Sequence, residues 1–410
     1  MNALSVLKER GFVQQCSNED AIHKALAEPG VVFYAGFDPT ADSLHIGSLV
    51  PIMAMAHLQR AGHIPIGLIG GGTTLIGDPS GKTEMRKLIS PEEIERNGHG
   101  ILSQLKRYLK LDEGDGMFVN NADWLTGLNY IQFLRDIGRH FKVNEMIRVE
   151  AYRQRLERAE GLSFIEFNYQ LLQAYDYLVL HDRHACRLQI GGDDQWGNIL
   201  AGKDLIRRMR SEDVHALTFP LITTARGQKM GKTEAGAIWL DASRTSPYEF
   251  YQYWINVDDR DVARFLALFT FLEMEEVSQL GNRTGAELRE SKSILAFETT
   301  TLAHGKEEAQ AAQNQSRILF TQSDGATIDT PSTVMSRDIF VPGINAADLL
   351  HKVGLASSKG EARRLIRDGG AYCNNQRITS IDTLITLENF TDERLTLRKG
   401  KKNHRTITIT

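Results

Sequence analysis

Cysteine is scarce in this chain: three in 410 residues. Cys16, Cys186 and Cys373 are odd in number and far apart, which excludes a disulfide framework and a CxxC metal knuckle. A reducing cytosol is the expected home, so the chain is expected to be cytoplasmic. Long apolar runs are also missing; nothing approaches the roughly 20 residues a membrane span needs. The opening MNALSVLKERGFVQQ reads as an amphipathic helix, without the apolar core and cleavage site of a secretory signal. No membrane partner is expected. Solenoid repeats and low-complexity tracts are absent too.

Neither sign of charge dominates, the formal net charge being −4, but the charge is unevenly placed. From Gly343 to Thr410 there are 12 Lys and Arg against 7 Asp and Glu, whereas the preceding 342 residues carry 36 against 45. A basic tail on an acidic body either meets a polyanion or is merely a solvated surface.

Hydrophobic residues at 41% and charged residues at 24% are ordinary for a globular protein, and the length suggests two or three domains. Up to residue 226, apolar runs such as VVFYAGF and IPIGLIG alternate with helical segments, the pattern of a Rossmann-like parallel α/β sheet. A Gly/Lys-rich loop is expected over 227–246, a helical domain over 247–320, a polar linker over 321–338, and a small α+β domain over 339–410.

Chemistry concentrates where the first strand, Val31 to Phe37, is broken by Asp38-Pro39-Thr40. A helix is expected to start near Leu44-His45-Ile46-Gly47-Ser48, beyond the C-terminal end of a strand, where open α/β sheets bind ligands. Free N–H groups and positive potential at such a start suit phosphate. His45 and Ser48, three apart, share one side of the turn, and Gly47 lets a flat group approach. Far downstream, Lys229-Met230-Gly231-Lys232-Thr233 puts two ammonium groups and a hydroxyl on a glycine-bearing loop. That is either an exposed basic turn or a device for the charge that builds as pyrophosphate departs.

Together these motifs resemble the HIGH and KMSKS signatures of class I aminoacyl-tRNA synthetases. The resemblance to bacterial tyrosyl-tRNA synthetases extends over nearly the whole chain, through YAGFDPTADSLHIG, FLRDIGRHFKVNEM, SFIEFNYQLLQAYDY and LQIGGDDQWGNI. It implies activation of L-tyrosine with ATP to tyrosyl-adenylate, then transfer to the terminal adenosine of tRNA(Tyr). Mg2+ is expected to arrive with ATP, with no tightly bound metal or organic cofactor. A homodimer formed through a segment around 120–165 is implied, and FLRDIGRHF is apolar enough to be buried.

The resemblance also assigns roles. Tyr34 and Asp176 would bond the substrate's phenolic hydroxyl, a pair that phenylalanine would leave unsatisfied. Tyr169, Gln173 and Asp78 would cradle the ammonium, with Gln195 near the carboxylate. Tyr169, Gln173 and Asp176 fall at i, i+4 and i+7, on one helix face. Asp38 and Asp194 would meet the nucleotide, Asp194 chiefly its ribose, with Gly36, Gly191 and Gly192 allowing close backbone approach and Gly47 and Ser48 beside them. Thr40 and His45 would contact the departing phosphates, and Lys229, Lys232 and Thr233 would close over them.

Three residues depart from the family pattern: Ser48 replaces the last His of HIGH, Ala35 lacks a polar group, and Asp193 stands where Ser is common. Two other patterns mislead. GDPSGKT lacks the first glycine of a phosphate loop, since position 76 is Ile76, and His181, His184 and Cys186 lack a fourth zinc ligand.

In the tail, Ser358-x-x-Glu361 reads as a capping box for a helix ending at Gly369-Gly370. Lys359, Arg363 and Arg367 form a basic stripe on it, and a hairpin turns at Asn374-Asn375. The pattern resembles the S4 RNA-binding domain. Two other readings compete: a tryptophan-specific relative, and an RNA-binding protein that keeps the synthetase shape without catalysis.

Overall fold

In the computed structural model, the residues described are 2–80, 89–111, 114–157, 161–225, 227, 230–233, 236–321, 332–374, 376–391, 393–400 and 403–409. The chain divides into two compact units, Met1–Asn314 and Gln315–Thr410.

The first unit is built on a sheet of β1 (Gln15–Cys16), β2 (Val32–Phe37), β3 (Ile64–Ile69), β4 (Met117–Asn120), β5 (Leu188–Gly192) and β6 (His215–Phe219). The strand order is β1-β6-β5-β2-β3-β4; β1 runs antiparallel to β6 and all other pairs are parallel. Strands such as VFYAGF and IPIGLI are covered on both faces, so their apolar runs are nearly continuous rather than alternating. Chain order reverses between β2 and β5, which opens a crevice at their C-terminal ends. The opening helix is shorter than its pattern suggested: it spans Ala3–Glu9, and Gln15 already pairs in β1.

The 21-residue helix Phe164–His184 crosses beside this crevice. It begins at a reciprocal capping box between Ser163 and Glu166 and ends where Ala185 turns left-handed at φ 52°. The helix Leu49–Arg60, which follows β2, is buried along most of its length.

Helices Pro247–Ile255, Val262–Phe269, Met274–Gly281, Gly285–His304 and Lys306–Thr321 realise the expected helical region. They do not form a separate core. Trp254, Phe265 and Phe269 pack in the same apolar cluster as Leu4, Phe12 and Met53 from the sheet region. The stretch expected as a loop over 227–246 contains a small hairpin, β7 (Lys232–Thr233) against β8 (Gly236–Ala237). In the 120–165 segment, Phe133 and Ile137 of FLRDIGRHF are buried in this chain's own core, while Tyr130, Ile131, Val143, Leu156 and Phe164 are exposed.

The second unit comprises β9 (Ser332–Met335), β10 (Ile344–Asn345), β11 (Ala371–Cys373), β12 (Gln376–Arg377), β13 (Leu384–Ile385), β14 (Arg394–Lys399) and β15 (Asn403–Ile409). Five of these form a sheet in the order β12-β11-β14-β15-β9, and helices Ala346–Lys352 and Lys359–Arg367 pack on the same small core. Ser332–Met335, expected in the linker, instead pairs parallel to β15, so the sheet starts before residue 339. The cause is reciprocal: β15 needs a partner on its outer edge, and STVM is β-branched enough to supply one. Among the described residues no helix is long and apolar enough to cross a membrane.

Candidate active site

A cleft of about 400 Å3 opens in the crevice between β2 and β5. Its walls include Tyr34, Gly36, Asp38, His45, Gly47, Ser48, Asp78, Tyr169, Gln173, Asp176, Gly191, Gly192, Asp194 and Gln195. Residues from β2, β5, the turn after β2 and the helix Phe164–His184 thus meet at one cavity. Thr40 is the exception among the described candidates. It is exposed beyond Asp38, its N–H bonds the Asp38 carbonyl, and it does not line the cleft. Lys229 lies outside the described residues, and only the backbone of Lys232 and Thr233 is described.

At the deep end, Asp176 is 1% exposed and both its oxygens are engaged. Trp124 Nε1 donates to Oδ1 at 2.8 Å and Asn121 Nδ2 to Oδ2 at 2.9 Å. Burial raises this carboxyl to about 7, and the two donors oppose that shift. The hydroxyl of Tyr34 is also buried and has no hydrogen-bond partner, and burial, then the Asp176 charge, holds its phenol un-ionised. A buried hydroxyl without a partner, close to a buried carboxyl, costs free energy unless a ligand completes it.

Midway, Gln195 Nε2 donates to Asp78 Oδ2 at 2.8 Å, and Asn198 Nδ2 donates to Gln195 Oε1 at 3.2 Å. Tyr169 donates to Asp38 Oδ2 at 3.3 Å and Thr73 to Asp38 Oδ1 at 3.2 Å. Two carbonyl oxygens on the cleft wall, Gln173 Oε1 and Gln189 Oε1, are buried without partners. Carboxylates and orphaned acceptors in one wall suit a ligand ammonium.

At the outer end, the turn Ile46–Ser48 precedes the helix Leu49–Arg60, and His45 caps it. Two N–H groups expected to be free are used internally. Gly47 N–H donates to His45 Nδ1 at 3.0 Å, and Ser48 N–H to His45 O at 2.8 Å. The first of these bonds leaves Nε2 as the protonated nitrogen of a neutral His45 ring.

The two motifs, just over 180 residues apart, touch. Ile46 N–H bonds Ile238 O at 3.0 Å and Leu240 N–H bonds Leu44 O at 2.8 Å, while Trp239 sits edge-on to the His45 ring. Gly231 has φ +88°, and a Cβ there would come within 3.3 Å of both Gly47 N and His45 Nδ1. That backbone and that tight approach both favour glycine.

Asp193, which departs from the family pattern, is engaged away from the cleft: its Oδ1 accepts from Gln15 Nε2 at 2.7 Å and Thr218 Oγ1 at 2.8 Å. Asn121, Trp124, Thr73 and Asn198 were missed by sequence reasoning. The position of Asn121 and Trp124 just after β4, at the C-terminal edge of a parallel sheet, was the available signal. His181 and Cys186 serve the main chain: His181 Nδ1 lies 3.1 Å from Cys186 O. Among the described residues no three His, Cys, Asp or Glu side chains gather to hold a metal ion.

In the second unit, Ser358 accepts from Glu361 N–H as expected. The return bond goes one residue earlier: Glu361 accepts from Ser357 N–H at 2.7 Å and from Lys399 Nζ at 2.6 Å. Lys359, Arg363 and Arg367 are exposed on this helix, with Ala362 and Ile366 inward and Lys359 paired to Asp348 at 3.0 Å. Cys373 pairs with Gln376 across the expected two-residue turn, and Asn374 has φ 45°.

Residues 27–321 match the family of class I tRNA synthetases (W and Y), and residues 324–407 match the tyrosine–tRNA ligase SYY-like C-terminal domain. The tyrosine–tRNA ligase of Desulfosudis oleivorans is 54% identical, over 100% of this chain and 99% of its own length. That of Caldanaerobacter subterraneus is 51% identical, over 100% of both. A C-terminally truncated mitochondrial tyrosyl-tRNA synthetase of Aspergillus nidulans superimposes with a TM-score of 0.69 at 32% identity, covering 78% of this chain and 94% of that one. The chain therefore belongs to the class I aminoacyl-tRNA synthetases, and within them to the tyrosyl-tRNA synthetase family.

Proposed function

We propose that the cleft joins L-tyrosine to ATP as tyrosyl-adenylate and then passes the tyrosyl group to the terminal adenosine of tRNA(Tyr). The observation that carries this reading is the deep end of the cleft. Asp176, held by Trp124 and Asn121, is an acceptor for a phenol O–H, and the orphaned Tyr34 hydroxyl donates back to the same oxygen. Indole offers no such oxygen, which favours tyrosine over tryptophan.

From that anchor the rest follows in order along the cleft. Asp78, Tyr169 and Gln173 receive the ammonium, and Gln195 lies beside the carboxylate. The substrate carboxylate is ionised at neutral pH, so its attack on the α-phosphorus needs no general base. The new C–O–P linkage forms as the α–β phosphoanhydride bond breaks, and pyrophosphate leaves with the electron pair. Asp194 holds the ribose; Gly36, Gly191 and Gly192 admit the nucleotide to the backbone. His45, Lys229, Lys232 and Thr233 stabilise the phosphate charge, while Thr40, exposed outside the cleft, is left out of that set, and Mg2+ enters on ATP.

The exposed stripe Lys359, Arg363 and Arg367 is assigned to tRNA in an S4-like second unit. The exposed apolar residues of the 120–165 segment are assigned to a homodimer contact. Tyrosine-dependent pyrophosphate exchange, with phenylalanine and tryptophan as controls, tests the reading: exchange with tyrosine alone supports it, and exchange with tryptophan in its place contradicts it.

A further inference from the structure

The segment carrying the second motif is tied to the first motif on its C-terminal side by the main-chain bonds at 44–46 and 238–240. Its N-terminal root, 222–225, leaves the sheet after β6, and Met230 N–H bonds back to Ile222 O at 3.0 Å. Two side chains from the start of the helix Val262–Phe269 reach this root. Asp261, 3% exposed, accepts the Ala225 N–H at 2.8 Å through Oδ2. Its Oδ1 accepts from Arg264 Nη2 at 2.7 Å, and that nitrogen also donates to Thr223 O at 2.5 Å. From the preceding helix, the Tyr253 phenol lies against the Gly231 backbone.

A carboxylate this deep is costly unless its oxygens are filled, and both are. What fills them is not only a partner charge but the backbone of a loop root. Such bonds carry little apolar burial and so add little to the core. They do fix where the chain enters the Gly231 turn that presses on His45 and Gly47.

We propose that Asp261 and Arg264 are positioning residues for the phosphate chemistry, clamping residues 223–225 so that the Gly231 turn stays seated against His45. The proposal rests on the tyrosine-activation reading. It places the control of phosphate handling in the helical region, on side chains that touch no substrate.

The test uses the full-length chain and four variants: Arg264→Ala, Arg264→Lys, Asp261→Asn and Asp261→Ala. Arg264 is partly exposed, so Arg264→Ala is expected to keep the fold. Single-turnover adenylate formation at saturating ATP should slow about 10-fold in Arg264→Ala and further in Asp261→Ala, while tyrosine affinity changes by less than about twofold. Arg264→Lys should recover part of the rate. Amide hydrogen exchange should quicken across 222–233 in Arg264→Ala. An unchanged rate constant, unchanged amide exchange, or a rate loss matched by an equal loss of tyrosine affinity overturns the proposal. A wild-type chain without tyrosine-dependent pyrophosphate exchange would overturn the functional reading instead, and the amide exchange would still decide on the clamp.

Discussion

The deep end of the cleft turns on one carboxyl. Burial raises Asp176 to about 7, far above its ordinary 3.8, so near neutrality it exists in both forms. In the proposed reading the ionised form accepts the substrate hydroxyl, whereas the protonated form is a weaker acceptor for it. Tyrosine affinity is therefore expected to fall as pH drops from 8 through about 6, and to become nearly flat in Asp176→Asn at a weaker level; titration calorimetry across that range checks both. The linkage to folding has the opposite sense. A raised native value means that this group favours the folded state most at pH below its unfolded value, and that the contribution is lost as pH rises through 7. A thermal melt of the ligand-free chain should therefore show Asp176→Asn gaining on the wild type as pH rises from about 4 to about 7, with the difference constant above that. Asp176 and Tyr34 were legible from the family motif and helical spacing. Trp124 and Asn121 were not, because their role exists only once the turn after β4 reaches the Asp176 side chain of the helix Phe164–His184.

Among the elements, the contact between the two motifs is the consequential one. Gly231 combines a left-handed backbone with an approach to Gly47 and His45 that a methyl group would make tight by a few tenths of an ångström. Gly231→Ala is expected to slow adenylate formation at least about 10-fold, from strain and displacement of roughly 1–3 kcal/mol, while leaving tyrosine binding intact. Stopped-flow fluorescence with separate tyrosine and ATP titrations separates these effects. The strands β2 and β3 and several helices could be read from apolar runs and period. The loop over 227–246 could not, because its short hairpin and its pairing with 44–46 depend on distant partners rather than local pattern. The same reason hid β9: four residues in a polar stretch become a strand only because β15 offers an edge.

For the molecule as a whole, charge and apolar exposure point to its partners. Ile131 and Phe164 are 72% and 70% exposed, an arrangement that a second copy would cover. Ile131→Glu is expected to shift the chain from dimer to monomer in sedimentation equilibrium; a wild-type chain that is monomeric at micromolar concentration would contradict the assignment. The second unit has its own core, so a chain ending at residue 321 should retain tyrosine-dependent pyrophosphate exchange and lose most tRNA charging. Equal charging by the shortened chain would remove the tRNA role of the basic stripe. Trp254 and Phe265, from the helical region, share a core with Phe12 and Met53 within one compact unit. Helical periodicity reveals an apolar face but not what covers it.

Selection of the side chain by Tyr34 and Asp176 is most directly tested by comparing kcat/KM for tyrosine and phenylalanine in the wild type and in Tyr34→Phe. Discrimination should fall about 10-fold or more in the variant, mainly because it loses activity with tyrosine, since one buried hydrogen bond to the phenol is worth about 1–2 kcal/mol. An unchanged ratio would mean that the phenol is read elsewhere.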